Sequence, residues 1–404
     1  MRVPFFKPDL SQQEISGVLE CLRSGWLTTG PRTKEFESRF AEYVGARHAV
    51  AVNSCTAALH LALEAAGLQK GEGVVVPTFT FAATAEVVRY FDAVPIFADS
   101  DAETLGMSPD AVERLLTDHA SGNLHVAGEA FSAPIRAIIP VHYGGQMVDV
   151  DAFRGLATRF KLTLIEDAAH TLPAYYRSNA GAPWRAVGST ADITCFSFYA
   201  NKCITTGEGG MAVTDREDLA DRMRVMSLHG MSRDAWKRFM SGGSWYYEIV
   251  APGFKYNLTD IASSIGLGQL ARANELWQSR QGIARTLIAG LSQVEELELP
   301  FELSNRQHSW HLFPVRLRLE RLDINRREFI EALNTLGVGA SVHWMPLHMH
   351  PYYRQTYGYA DDEFPVAAAA WPRLVSLPIF PAMTEEHCQI VIDAVKSIIH
   401  QHRR

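Results

Sequence analysis

In the first half of the chain, two hydrophobic periods alternate. Ile15, Val18, Leu19 and Leu22 recur at helical spacing behind the capping-box pattern Ser11-Gln-Gln-Glu14. Phe36, Phe40, Tyr43 and Val44 form a second helical stripe. Between and after such stripes lie short runs that are mostly apolar and rich in Val and Ile: His48–Val52, Gly73–Pro77, Val94–Phe97, Ala137–Val141 and Leu162–Asp167. Ile193–Phe198 and Met211–Thr214 are two further strand candidates, and Ala57–Ala66 and Val150–Phe160 read as helices. Short apolar strands alternating with helices predict an α/β fold with a mostly parallel sheet covered on both faces. After about residue 255 the pattern changes. A long helix is expected over Thr259–Leu291, a strand over His308–Leu319, a helix over Asn325–Leu336 and a strand over Val338–Trp344. Helical pattern returns near Ala367 and from Thr384 onward. The expected division is therefore a large domain over 1–255 and a smaller α+β domain over 256–404. With no Gly/Ser-rich linker between them, the two should pack tightly.

The 404 residues suit two or three domains, and 47% hydrophobic with 21% charged residues is ordinary for a globular chain. A net charge of −7 provides no basic footprint for nucleic acid. The first residues lack a charged segment followed by an apolar one, and no apolar run reaches the roughly 18 residues of a membrane span. A cytoplasmic protein is expected. The five cysteines are widely spaced and form no CxxC, which argues against disulfides or structural zinc. Of 38 basic residues only eight are lysine. Chemistry that needs an amine has few places to reside.

Ligands of open α/β sheets bind at the carboxyl ends of strands. After His48–Val52, the segment Asn53-Ser-Cys-Thr-Ala-Ala-Leu-His60 opens a helix with small hydroxyl residues. Free N–H groups there suit a phosphate, and an ordinary Ser/Thr N-cap explains the same residues. After Leu162–Ile165 comes Glu166-Asp167-Ala-Ala-His170. A carboxylate ending an apolar strand calls for a cation. Glu166 and Asp167 point to opposite faces, which leaves a metal too few ligands on either side. A protonated ring nitrogen is the other partner. After Ile193–Cys195, Lys202 stands between an apolar strand and the Gly-rich turn Gly207-Glu-Gly-Gly210. Desolvation there lowers the amine pKa, as a Schiff-base lysine requires. Lys7, Lys34, Lys70, Lys161, Lys237 and Lys396 sit in polar or amphipathic contexts and read as surface charges. A phosphate at a helix start, a strand-end carboxylate and a buried lysine together match the needs of pyridoxal phosphate, and Pro77-Thr-Phe-Thr-Phe81 offers an aromatic for stacking. His343, His348 and His350 lack acidic partners and zinc spacing, so no metal is expected.

From Ser24-Gly-Trp-Leu-Thr-Thr-Gly-Pro31 to Leu374-Val-Ser-Leu-Pro-Ile-Phe-Pro381, these motifs in this order resemble the sugar aminotransferases of the DegT/DnrJ/StrS family. The resemblance implies the fold type I architecture of pyridoxal-phosphate enzymes, with an N-terminal arm and cofactor domain over 1–255. It implies that Lys202 forms the Schiff base, that Asp167 pairs with the pyridinium nitrogen and that Phe81 stacks on the ring. His170 stands where the family often has Gln, near the ring 3-hydroxyl. Thr56, the backbone at Ala57 and Ser197 would hold the phosphate. Gly253-Phe-Lys-Tyr-Asn-Leu-Thr-Asp260 matches a stretch that reaches the neighbouring subunit's phosphate site, with either Lys255 or Asn257 as the contact, so a homodimer is implied. Trp26, Thr28, His343 and His348 would face the substrate.

The activity so implied is transfer of an amino group from glutamate to a nucleotide-linked keto-deoxysugar. GFKYNLTD at 253–260 resembles enzymes that aminate C4, whereas C3 enzymes typically read GYNSRLDE. A dehydratase of the same family would carry His in place of Lys202. A non-catalytic regulator would not need Lys202, Asp167 and Phe81 together. Gly25–Gly30 has P-loop glycine spacing, but Pro31 stands where that motif requires Lys.

Overall fold

The computed structural model describes residues 2–232 and 247–404; Lys237 lies outside them. Two helices, α1 (Gln12–Ser24) and α2 (Pro31–Val44), lead into the sheet. Ser11 caps α1 through the expected box with Glu14. The sheet strands are β1 (His48–Val52), β2 (Gly73–Pro77), β3 (Val94–Ala98), β4 (Ile135–Ile138), β5 (Thr163–Asp167), β6 (Ile193–Ser197) and β7 (Gly210–Thr214). Helices α3 (Cys55–Ala65), α4 (Ala83–Arg89), α5 (Pro109–Ala120), α6 (Val150–Phe160) and α7 (Glu217–Ser227) are threaded between and after them. The strand order is β1-β7-β6-β5-β4-β2-β3. Pairing is parallel from β6 to β3, and β7 runs antiparallel to both its neighbours. The sheet is thus mixed and mostly parallel, as expected.

The helical stripe of α2 covers the sheet. Phe40 meets Phe196 at 5.0 Å and Phe198 at 5.4 Å, both edge-on. Phe36 and Phe40 are fully buried. Each such ring contributes about 2–3 kcal/mol through lost water contact.

The expected long helix is two, α8 (Asp260–Ala271) and α9 (Ala273–Leu291). The break falls at Arg272, with φ −104° and ψ 3°, and its guanidinium is drawn to Asp9 (3.1 Å) and Glu275 (3.0 Å). No glycine or proline marks it. The strand expected over His308–Leu319 shortens to β9 (Phe313–Leu317), after a two-residue strand β8 (Leu297–Glu298). Trp310 has φ +52°, and its N–H closes on His308 Nδ1 at 2.7 Å, which turns the chain away from extension. Val338–Trp344 forms no strand; it makes single bridges from Val338 to Val3 and from Ser341 to Ser376. Strands β8, β9 and β10 (Leu374–Leu377) form a small antiparallel sheet. It packs with α9, α10 (Arg326–Thr335) and a C-terminal helix over Glu385–His402 into a second hydrophobic core. Val3 sits in that second core, while Leu267, Leu270 and Leu276, together with Leu347, Tyr353 and Phe364, pack into the first. Among the described residues no helix is long and apolar enough to cross a membrane.

Candidate active site

Strand alternation separates the two acids that end β5. Glu166 turns to Thr190 Oγ1 at 2.8 Å, Thr194 Oγ1 at 3.2 Å and His142 Nε2 at 3.5 Å. Asp167 turns the other way, into a cavity of ≈ 470 Å³, a size suited to a small cofactor. One Asp167 oxygen accepts from Thr84 Oγ1 at 2.8 Å, the other from the Ala169 N–H at 3.0 Å. Burial raises the Asp167 pKa; these two hydrogen bonds and the charge of Lys202 act against it. A cation facing this carboxylate would offset the desolvation.

Lys202 reaches the same cavity from the loop after β6. Burial lowers its pKa, against the opposing pull of Cys55, Asp167 and Cys203. Thr56, Phe81, His170, Ser197 and His343 line the cavity with them. Seven expected residues from five separate segments therefore converge.

The His170 tautomer follows from geometry. The Gly144 N–H donates to His170 Nδ1 at 3.3 Å, so the neutral ring carries its proton on Nε2. Burial holds the His170 pKa well below its usual value, and Lys202 adds to that. The ring lies 4.6 Å from His311 and 5.9 Å from Trp344. His343 Nδ1 meets Ser376 Oγ at 2.9 Å, and burial pushes its pKa down to about 4.

The start of α3 forms another wall. Ser54, its N-cap, accepts from the Ala57 N–H at 3.0 Å. That donor, expected to meet a phosphate, is already satisfied, whereas Ser54, Cys55 and Thr56 line the cavity. Strand β7 presses against this helix start. A Cβ on Gly210 would lie 2.4 Å from the Ser54 carbonyl and 2.6 Å from Cys55 N, backbone atoms that cannot swing aside. Gly210→Ala should therefore cost about 1–3 kcal/mol and shift the urea midpoint downward. An unchanged midpoint would show that α3 yields freely.

Other expected residues do not line this cavity. His348 is fully buried, with Nδ1 2.6 Å from Thr78 Oγ1 and its ring stacked on Phe364 at 4.5 Å. Trp26 folds over Gly30 and donates from Nε1 to the Thr29 carbonyl at 3.2 Å. Thr28 is exposed, and its carbonyl accepts from Asp260 N at 3.2 Å. Asn257 Nδ2 donates to Thr29 Oγ1 at 2.6 Å, and Lys255 is exposed. Both border the end of β1, where Asn53 N donates to the Tyr256 carbonyl at 2.7 Å. Trp344 and Asn201 are among the wall residues that were not expected from sequence. Trp344 lies 5.1 Å from Phe81, and Asn201 Oδ1 is buried with no hydrogen-bond partner.

The model of the DegT/DnrJ/EryC1/StrS aminotransferase family matches residues 8–396. The uncharacterized protein MJ1066 of Methanocaldococcus jannaschii is 42% identical over 99% of this chain and 98% of its own. The spore coat polysaccharide biosynthesis protein SpsC of Bacillus subtilis is 42% identical over 98% of this chain and 97% of its own. Spr1654 of Streptococcus pneumoniae, assigned as a sugar aminotransferase, has a solved PMP form with TM-score 0.86 and 30% identity, covering 99% of this chain and 98% of that one. Its PLP form superposes with TM-score 0.85. Matched across nearly its whole length, the chain belongs to the DegT/DnrJ/EryC1/StrS aminotransferase family and is an enzyme of that kind.

Proposed function

We propose that the protein is a pyridoxal-phosphate-dependent aminotransferase that moves an amino group from glutamate to C4 of a nucleotide-diphospho-4-keto-deoxysugar. It would work as a cytoplasmic homodimer in the synthesis of a surface polysaccharide, glycan or secondary metabolite. The observation that carries this reading is the meeting of Lys202, Asp167 and the hydroxyl-rich start of α3 in one cavity. The name of SpsC places that relative in polysaccharide synthesis, and Spr1654 has been solved in PMP and PLP forms. Lys202 stands where a dehydratase of this family would have His.

When bound, pyridoxal phosphate supplies an electron-accepting ring and a carbon that carries the amino group from donor to acceptor. The chain's own residues fit it. Asp167 would hold the ring N–H, oriented by Thr84 and Ala169 N. Ser54, Thr56 and Ser197 would hold the phosphate at the start of α3. Phe81 would stack on the ring, and the Nε2–H of neutral His170 would donate toward the ring oxygen. Lys202 Nζ would take the proton from the α-carbon of glutamate; a depressed pKa leaves more of it neutral and able to accept. Trp344 and His343 would narrow the cavity against water. Lys255 or Asn257 would complete the partner's phosphate site, since neither lines this chain's own cavity.

The test is direct. The purified protein loaded with pyridoxal phosphate should be yellow and should bleach on addition of glutamate. Uridine-, thymidine- and guanosine-diphospho-4-keto-6-deoxysugars should then restore the colour, with NMR of the product locating nitrogen at C4. Amination at C3, or no colour change with glutamate, would sink the reading.

A further inference from the structure

Helix α3 brings Thr56 to the cavity and carries His60 one turn further on, on the same face and about 6 Å along the axis. His60 does not line the cavity. It is buried against the segment that follows Gly253. Its Nδ1 lies 2.9 Å from Tyr256 Oη, and its ring meets Phe254 at 4.6 Å. Phe254 in turn stacks on Tyr256 at 5.1 Å, with 13° between the planes. A polar group buried as His60 is costs free energy when it loses its partner, so the bond to Tyr256 is held firmly.

The main chain keeps the segment extended. Tyr256 N donates to the Ser227 carbonyl at 2.9 Å, and Phe254 N to the Met226 carbonyl at 2.7 Å. Single antiparallel bridges join Lys255 to Leu228 and Asn257 to Val52. Neighbours in an extended segment face opposite sides. Phe254 and Tyr256 therefore turn toward His60, and Lys255 and Asn257 turn away from it. Lys255 is exposed, and Asn257 Nδ2 reaches Thr29 Oγ1. The two rings anchor the segment, and the two polar residues are what it presents.

We infer that His60 and Tyr256 are a positioning pair: through their bond, the α3 helix of each subunit sets where Lys255 and Asn257 stand in the partner's phosphate site. The inference rests on the reading that this segment completes the partner's site. It makes the two cofactor sites of a dimer depend on each other, because α3 would seat a phosphate at its start and hold the partner's contact from its middle.

The experiment is titration with pyridoxal phosphate, followed by the visible absorbance of cofactor joined to Lys202. Tyr256→Phe keeps both stacked rings and loses only the hydroxyl; it should weaken binding about 3- to 10-fold, the worth of one hydrogen bond. His60→Leu should weaken it similarly. His60→Asn, whose amide falls where Nδ1 stands, should recover most of the wild-type affinity, which a purely packing role would not allow. A mixed dimer then separates the subunits. One chain carries Lys202→Ala with its own segment intact, and the other carries Tyr256→Phe. Only the second joins cofactor to Lys202, and the segment completing that site comes from the first, so wild-type affinity should return. No recovery in the mixed dimer, or wild-type affinity in the Tyr256→Phe homodimer, would overturn the inference. Lys255→Ala and Asn257→Ala probe the reading beneath it, and at least one should weaken binding. If neither does, the cross-subunit reading falls and the inference with it; if one does and Tyr256→Phe does not, only the positioning pair falls. A wild type that takes up no cofactor would end the proposed function and this inference together.

Discussion

Lys202→Ala should abolish amino transfer, lowering turnover on the order of 10⁴-fold or more. One side chain is asked for two contributions here. Under the proposed function, Nζ would be the amine that joins the cofactor's carbonyl carbon and the base that takes the α-proton of glutamate. Proton transfer by a positioned side chain alone is worth roughly 10²–10⁴-fold. Losing on the order of 10⁴-fold corresponds to about 5–6 kcal/mol of barrier. The fold should tolerate the change, because burial already disfavours the charged form of this amine. Two readouts separate the roles. Wild type treated with borohydride should gain the cofactor's mass on the peptide carrying Lys202, and the variant should gain none. Added methylamine should restore part of the proton transfer in the variant without restoring the covalent link. A variant that keeps wild-type turnover, or a cofactor adduct on another lysine, would remove Lys202 from the chemistry.

That Lys202 and Asp167 could be read from sequence has a structural cause. Each stands at or just past the end of a short apolar strand, and in a parallel sheet such ends share one edge. Period-two alternation also separated Glu166 from Asp167, and the two do face opposite ways. Other positions had no such ruler. His343 and His348 are five residues apart in an irregular segment, so no period assigns them a side; one lines the cavity and the other packs on Phe364. Ala57 looked available because its helix opens a sheet edge, yet the neighbouring Ser54 hydroxyl takes its N–H, a local competition that sequence leaves open. The break at Arg272 depends on Asp9, more than 250 residues away in the chain, and no local breaker announces it. The alternation of Val338–Trp344 is real, but with single bridges to Val3 and Ser376 for partners the segment has no strand to pair with. Trp344 and Asn201 adjoin His343 and Lys202 in the chain, but neither residue type carries a chemistry that would single it out in the sequence.

The same packing makes the protein sensitive to acid. Six buried histidines are depressed chiefly through burial: His308 to about 3, His60, His343 and His348 to about 4, and His170 and His311 well below the ordinary 6.5. Their surroundings explain it. His60 is wedged 4.6 Å from Phe254 and 4.8 Å from Phe91, and His308 stacks on Trp310 at 4.2 Å. A depressed histidine costs nothing above pH 6.5, where both folded and unfolded chains hold it neutral. As pH falls below 6.5 the unfolded chain takes up protons that the folded chain refuses, so stability is lost from 6.5 down to the folded values near 3–4. At pH 5 the difference approaches one proton per residue. Each proton contributes about 1.4 kcal/mol per pH unit, so six together give a slope of up to about 8 kcal/mol per unit. That is comparable to the whole stability of many domains. Urea midpoints at pH 7.5, 6.0 and 5.0 should therefore fall steeply once pH drops below 6.5, before most carboxylates begin to titrate. His60→Gln should flatten the fall by roughly a sixth, one proton's share of the six. Midpoints that coincide at pH 7.5 and 5.0 would mean that these rings accept protons without leaving the core.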